Sequence, residues 1–476
     1  MKKIFSLVLL IMLTLVIAGC NNSNGNTDPD PDPNPDPDNG STINLQGQEF
    51  IIIANTPITA DPRSDRYEGL NQEIKIQLIE EVEAKYNIKV VYKPFPSNAT
   101  WGGARERWVV NNVVTGSPAG HVYEITTTSI PTLASAGAIL DLTDYMDLYG
   151  DENFPESKKQ FGKFLEGHYV YDDRLPMNTG GIYYNMDLLV ELGYQKDLPT
   201  QMWLDGNWNW QTFEALTKEL DTAMSDRADH YVIGGRTYNW AYSMIHANGG
   251  YIVNDQLDVG VLSTPTLNAL QYIANLYDEV RWRSESDLSN TVEQEFVNGK
   301  IVFHNGSYWH AFNDTKFGNR SFTDLGFVPF PTGDDTLPDL SNYNNMIQFG
   351  PASFVVSRGY EKSNIPAGYE DFFIHDELIF QIWSEMQYFG DLEENHFQFE
   401  MELYKYYATD SSVEAHVSVL GNLSNDLFYT FGSDAYGQVE GSMMILLESA
   451  LKSNDVRATM EIISPILDQL IEERFR

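Results

Sequence analysis

Residues 48–57 read QEFIIIANTP. Phe50–Ala54 is an unbroken apolar run, which suits a strand buried on both faces. Residues 71–86, NQEIKIQLIEEVEAKY, follow it. They place Ile74, Leu78, Ile79, Val82 and Tyr86 on one helical face, with Asn71 as the expected N-cap. Residues 88–95, IKVVYKPF, return to a strand pattern. Strand, helix, strand in this order predicts a parallel sheet with a right-handed crossover, so the chain is α/β.

The alternation continues beyond this unit. WGGARERWVVNNVVTG (101–116) predicts a helix after two glycines, and GHVYEITTT (120–128) a strand. GIYYNMDLLVELGY (181–194) predicts a strand over Ile182–Asn185 and then a helix. In STPTLNALQYIANLYDEV (263–280), Thr264 is the expected cap and Pro265 suits the first turn. Further strands are expected in FVNGKIVFHNGSYW (296–309), DLGFVPFP (324–331) and ASFVVSRG (352–359), and the last third reads as mostly helical. No repeat of solenoid period is present, and eight regular βα units are not visible.

The first 44 residues follow other rules. Lys2 and Lys3 precede an apolar run from Ile4 to Ala18, too short and too terminal for a membrane span and patterned as a signal peptide. Ile17-Ala18-Gly19-Cys20 resembles the lipobox of bacterial lipoproteins, in which cleavage precedes a cysteine that then carries lipid. Cys20 is the only cysteine, so internal disulfides are excluded. Asp28 to Pro37 holds five X-Pro pairs, an extended and self-repelling spacer. From Asn21 to Asn44 it can reach roughly 70 Å at about 3.1 Å per residue. Expected segments are therefore 1–19 as signal peptide and 20–44 as lipidated tether. The remaining chain is long enough for two or three lobes.

The formal net charge is −38, and 68 Asp and Glu face 30 Lys and Arg. Such a chain repels nucleic acid and anionic lipid, and phosphate-rich ligands are disfavoured. Aromatics reach 13 %, many of them beside Gly, Asn or Ser, which suggests a cleft lined with rings. Catalytic signatures are missing. No H-E-x-x-H, G-x-S-x-G or P-loop is found, and GSPAG (116–120) has its serine one place early. No cysteine or histidine spacing suits a metal, and no cofactor is expected.

Six segments in order resemble the sugar-binding, maltose-binding-protein-like group of extracellular solute-binding proteins of ABC importers. They are LASAGAILDLTDYM (133–146), GIYYNMDLLVELGY (181–194), NWNWQTFEAL (207–216), ANGGYIVN (247–254), FVNGKIVFHNGSYW (296–309) and GFVPFP (326–331). The resemblance spans about residues 47 to 476. It implies a two-lobe, periplasmic-binding-protein-like (Venus-flytrap) fold with hinge crossovers near 176–181, 328–331 and 390. Lobe 1 is expected from 45–177 plus 331–390, and lobe 2 from 182–327 plus 391–476. Ligand is expected between the lobes, at the carboxyl ends of the strands.

Carried over position by position, the resemblance implies ligand contacts from Asn55, Thr56 and Asp65 after the first strand, and from Trp101 after the second. Thr127 and Thr128 follow the third, and Asn178 and Thr179 lie at the first crossing. Tyr238, Asn239, Trp240 and Tyr242 come from RTYNWAY (236–242), Tyr308 and Trp309 from NGSYW (305–309), and Tyr343 and Asn345 from SNYNNMIQFG (341–350). Phe428, Tyr429 or Phe431 are weaker additions. Where the family often has a carboxylate near Thr128, this chain has hydroxyls. The chemistry suits a pyranose, whose apolar face stacks on flat rings while Asn, Asp and Thr satisfy the hydroxyl edge. Trp203, Trp208 and Trp210 are expected to be structural.

The implied function is capture of a carbohydrate by a monomer anchored through Cys20 at the outer face of the cytoplasmic membrane, and its delivery to ABC permease transmembrane subunits. No nucleic acid and no catalysis are implied. A surface polysaccharide-active enzyme and a sugar sensor or adhesion module of the same fold remain the alternatives.

Overall fold

The computed structural model describes residues 43–174, 179–284, 291–334, 343–346, 352–390, 392–421, 423–424, 426–428, 430 and 443–475. Cys20, Asn178, Tyr429 and Phe431 lie outside the described residues.

Two sheets carry the architecture. The first begins with β1 (Gln48–Ala54), β2 (Ile88–Pro94) and β3 (Val122–Thr126). The chain then builds a second sheet from β4 (Gly180–Asn185), β5 (Tyr231–Gly234), β6 (Trp282–Arg283), β7 (Ile301–Ser307) and β8 (Leu325–Val328). It returns to the first sheet as β9 (Ala352–Val356). The strand orders are β9-β3-β1-β2 and β8-β4-β7-β5-β6. β1, β2 and β3 are mutually parallel, and β9 closes that sheet antiparallel to β3. In the second sheet β5, β6 and β7 are parallel, and β4 runs antiparallel to both its neighbours.

The helices that place the site are α1 (Gln72–Tyr86), α2 (Gly103–Val114), α3 (Glu156–Phe161), α4 (Trp210–Ala223), α5 (Thr237–Ala247) and α6 (Thr264–Glu279). Later come α7 (Asp376–Glu385), α8 (Leu392–Leu403), α9 (Asp410–Val417) and α10 (Met443–Ser453). They cover the sheets on both faces, and the apolar run of β1 shows why. Phe50 and Ile52 pack with Ile79 and Val82 of α1 and Leu378 and Ile382 of α7. Ile53 points the other way and packs with Val109 of α2. Successive residues serve opposite faces, so every one of them is apolar.

Of two expected caps, Asn71 holds the N-cap position without a capping bond, and Thr264 is corrected. Asn71 precedes α1 in the left-handed region at φ 54°, and its side chain makes no capping bond. Its Oδ1 instead accepts from Gln398 Nε2 of α8 at 2.9 Å. Ser263, not Thr264, is the N-cap residue of α6, which puts both Thr264 and Pro265 inside the first turn.

The chain leaves the first sheet through Asp172-Asp173-Arg174, and each residue is fastened to a different element. Lys158 Nζ of α3 meets Asp172 Oδ1 at 2.5 Å, with both side chains buried. Asp172 Oδ2 also accepts the Phe354 amide at 2.9 Å, which ties β9 to the same carboxylate. Lys75 Nζ of α1 meets Asp173 Oδ1 at 2.6 Å, and Asp173 Oδ2 accepts the Tyr388 amide at 3.0 Å. Arg174 Nη1 meets Glu124 Oε1 of β3 at 2.7 Å. Paired charges at this depth require such saturation, because an unpaired one costs several kcal/mol.

Candidate functional site

β1 and β3 both end at the same edge of the first sheet, and β9 begins there. β5 and β7 end at one edge of the second sheet, where β4 begins. Thr430 Oγ1 donates across to the Thr128 carbonyl after β3 at 2.8 Å. The carboxyl ends of the strands are where the backbone turns away and side chains can reach a ligand.

On the first sheet, Asn55 and Thr56 follow β1 and are exposed, and Asn55 Nδ2 donates to Thr56 Oγ1 at 3.3 Å. The Asn55 amide donates to Glu124 Oε2 at 2.6 Å, and Arg105 Nη2 donates to Asn55 Oδ1 at 2.9 Å. The guanidinium of Arg105 lies between the rings of Phe95 (4.0 Å) and Trp101 (3.7 Å). Trp101 is thus braced from one side by Arg105 and remains 43 % exposed. Thr127 is buried with its hydroxyl unpartnered, and Thr128 Oγ1 shares a hydrogen bond with Thr126 Oγ1 at 2.9 Å. Asp65 is exposed on the loop before α1.

On the second sheet, the Thr179 carbonyl accepts the Tyr308 amide at 3.1 Å. The Thr179 hydroxyl pairs with His416 Nε2 of α9 at 2.5 Å, and His416 Nδ1 pairs with the Tyr407 hydroxyl at 2.7 Å. Burial pushes the His416 imidazole down to about 3, so it stays neutral and pins the start of β4. Gly235 turns the chain after β5 at φ +107°, and a Cβ there would stand 2.3 Å from Asn305 Oδ1. Arg236 then donates to the Tyr238 hydroxyl at 3.2 Å. Glu448 of α10 holds the start of α5, accepting from Thr237 Oγ1 at 2.6 Å and from the Tyr238 amide at 2.9 Å. Asn239 and Trp309 are half-buried. Ser307, Asn305 and Asn345 are buried with a side-chain oxygen unpartnered. Such groups cost about 1–3 kcal/mol each when they serve packing alone.

Several expected ligand rings are in the core. Trp240 is fully buried against Phe213, Trp282 and Phe330, and its indole N–H donates to the Gly234 carbonyl at 2.9 Å. Tyr308 is enclosed by Phe312, Phe399 and His416. Tyr242 is buried with its hydroxyl on the Asp426 carbonyl at 3.2 Å, and Tyr343 packs on Trp203. Phe428 is buried against Tyr242. These rings look ligand-facing in sequence because polar residues flank them. In the fold they are enclosed in the core.

Glu124, Arg105 and Arg174 are the site-edge residues that sequence reading missed. The available signal was a lone carboxylate inside the apolar strand VYEIT (122–126), which has to find a base. Burial alone would raise the Glu124 pKa, but Arg174 and the Asn55 amide outweigh it and hold it below 4.5. Burial likewise opposes ionisation of Asp172, and Lys158 with Arg174 holds it below 3.8. Lowered folded values stabilise the protein above the unfolded pKa, and this contribution is lost as pH falls through the folded one. The urea midpoint is therefore expected to hold from pH 7 to about 5 and to drop steadily below about 4. A flat midpoint down to about pH 3 contradicts the pairing.

Ser424 Oγ lies 3.1 Å from His246 Nδ1, and His246 Nε2 lies 3.1 Å from Asp426 Oδ2, the residue set of a hydrolytic triad. The Asp426 carboxylate, however, accepts the amides of Ile252 (2.6 Å), Val253 (3.1 Å) and Phe428 (2.8 Å). The imidazole is buried. The set clamps residues 426–428 onto 252–253. Among the described residues no group of three or more His, Cys, Asp or Glu side chains is placed to hold a metal.

No curated protein sequence matches the chain. Solved structures do match its fold. UgpB from Mycobacterium tuberculosis, in complex with glycerophosphocholine, is 16 % identical with a TM-score of 0.58, covering 90 % of this chain and 100 % of its own. The sugar-binding protein MalE from Xanthomonas citri is 16 % identical at 0.57, covering 90 % and 98 %. The ABC substrate-binding protein Lmo0181 from Listeria monocytogenes, in complex with cycloalternan, is 16 % identical at 0.54, covering 90 % and 99 %. These likenesses identify the two-lobe binding-protein fold. The profile of one sequence family, the bacterial extracellular solute-binding proteins, matches residues 77–369. With that match over more than half of the chain, on a fold of two α/β lobes, this protein belongs to the bacterial extracellular solute-binding protein family.

Proposed function

We propose that the protein captures a carbohydrate between its lobes and hands it to the transmembrane subunits of an ABC importer. The observation that carries this reading is the half-exposed, Arg105-braced indole of Trp101, set beside Asn55 and Thr56 at the carboxyl end of β1. A flat ring next to amides and hydroxyls complements a pyranose, apolar on its face and polar on its edge. Structural neighbours support the class, since one is a sugar-binding protein and another holds cycloalternan.

In this reading lobe 1 comprises 45–177 with 331–390, and lobe 2 comprises 182–327 with 391–476. The hinge crossings of this reading lie near 176–181, 328–331 and 390. Asn55, Thr56, Trp101, Thr127 and Thr128 offer contacts from lobe 1. Tyr238, Asn239 and Trp309 offer them from lobe 2 and Asn345 from the 331–390 part of lobe 1, while Thr179 lies at the first crossing with its hydroxyl on His416. The protein works as a monomer at the outer face of the cytoplasmic membrane, held by lipid on Cys20, and performs no chemistry on its ligand.

The test is thermal denaturation of the full chain against a panel of oligosaccharides and a peptide pool. A bound ligand raises stability by RT ln(1 + [L]/Kd), about 2.7 kcal/mol at a hundredfold excess over Kd. At least one saccharide is expected to raise the melting temperature. A shift with peptides and with no saccharide overturns the reading.

A further inference from the structure

Carboxylates outnumber bases by 68 to 30 in this chain, so a buried base has abundant potential partners. Lys158, Lys75 and Arg174 each take one. Arg105 does not. It is only 4 % exposed, yet its hydrogen bonds go to neutral acceptors: the Ala99 carbonyl at 3.4 Å, the Glu124 carbonyl at 3.5 Å and Asn55 Oδ1 at 2.9 Å. No carboxylate among the described residues forms an ion pair with it. The nearby Glu124 carboxylate is committed to Arg174 and to the Asn55 amide. Burial lowers the Arg105 pKa to about 10, partly countered by Glu124, so the group remains a cation at neutral pH.

A packing role explains part of this. Phe95 and Trp101 cover the two faces of the guanidinium, and each such contact is worth about 0.5–2 kcal/mol. It does not explain why no carboxylate contacts the guanidinium: Glu124 acts on it only from a distance, and a desolvated cation gains most from an in-plane carboxylate or phosphate. The rings block the faces and leave the edge, where three hydrogen bonds use three of the five N–H groups. That edge faces Asn55, directly after β1, and the covering ring is the exposed Trp101. A second arginine, Arg236, follows β5 at the carboxyl edge of the other sheet.

We propose that Arg105 is a specificity-determining residue for an anionic group on the ligand, so that the captured solute is an acidic carbohydrate. Its ring stacks on Trp101, and its carboxylate, sulfate or phosphate meets the guanidinium edge. This rests on the carbohydrate reading of the Trp101 cleft and narrows it. The net charge of −38 does not oppose it, since at physiological salt surface charges are screened beyond about 8 Å, while a contact ion pair is not.

Calorimetric titration of the full chain tests it with four probes: oligogalacturonate, its carboxyl-reduced neutral form, a sulfated oligosaccharide and a sugar phosphate. The acidic probes separate the possible anions. The best acidic probe is expected to bind at least about tenfold tighter than the matched neutral sugar, and more weakly as salt rises. Arg105→Gln should abolish that preference, and Arg105→Lys should keep part of it. The comparison of matched sugars on the unaltered protein stands even if both variants unfold. Equal affinity for oligogalacturonate and its reduced form, with no acidic probe ahead, overturns the role of Arg105 while the carbohydrate reading survives. Binding by no saccharide, acidic or neutral, overturns both.

Discussion

Replacing Lys158 by methionine is expected to destabilise the protein by about 3–5 kcal/mol, among the largest effects of any single substitution outside the apolar core. The reason is what the change leaves behind. Asp172 is fully buried, and its carboxylate accepts from Lys158 Nζ at 2.5 Å, the Phe354 amide at 2.9 Å and the Arg174 amide at 3.0 Å. Without Lys158 the two amides remain, but the negative charge loses its contact counter-ion in a low-dielectric setting and keeps only the more distant Arg174. The urea midpoint at pH 7 measures the loss. The double substitution Lys158→Met with Asp172→Leu should recover part of it, because an apolar pair avoids the desolvation of both charges. It should not recover all, since the Phe354 and Arg174 amides then lack an acceptor. If the single variant loses less than about 1 kcal/mol, the pair is solvated and the saturated exit from the first sheet is not what holds it.

The same residues show what the sequence could and could not reveal. β1, α1 and β2 were legible because a strand covered on both faces and a one-faced helix leave different apolar periods. Strand order across the sheets was not legible: β9 joins β3 from more than 220 residues away, and only packing brings it there. The charged exit Asp172-Asp173-Arg174 reads in sequence as a solvated loop. Its three partners, Lys158, Lys75 and Glu124, lie on separate elements, so burial of the segment follows from tertiary assembly alone. Asn71 has the residue type of a cap, but its left-handed backbone aims the side chain elsewhere. At the candidate site, the exposed positions of Asn55, Thr56 and Trp101 beyond the strands were legible because turns and glycines mark strand ends. Trp240 and Tyr308 misled for the converse reason. Their polar neighbours on the chain occupy other faces of the same short elements, while the rings turn inward.

Trp101 and Trp240 should therefore respond in opposite ways to the same substitution. Trp101→Ala is expected to weaken binding of whichever saccharide the protein takes by about 2 kcal/mol, roughly thirtyfold in Kd. Its unfolding free energy should fall by about 1–2 kcal/mol, clearly less than for an enclosed ring, because the contact with Arg105 is lost but 43 % of the ring is already exposed. Trp101→Tyr should retain most of the affinity, since a flat amphipathic ring is kept above Arg105. Trp240→Ala removes a ring with no exposure, three aromatic neighbours and an indole N–H bonded to the Gly234 carbonyl. It should cost about 3–5 kcal/mol of stability. Any loss of binding in that variant should disappear when affinity is calculated on the folded fraction. The separation matters because Gly234, which ends β5 and accepts from Trp240, is two residues before Arg236, so a collapsed Trp240 site also displaces a cleft-edge residue. Measuring Kd and the urea midpoint on both variants distinguishes the cases. Loss of affinity without loss of stability in Trp240→Ala would return that ring to the ligand. Unchanged affinity in Trp101→Ala would remove from the cleft the one aromatic surface on which the carbohydrate reading depends.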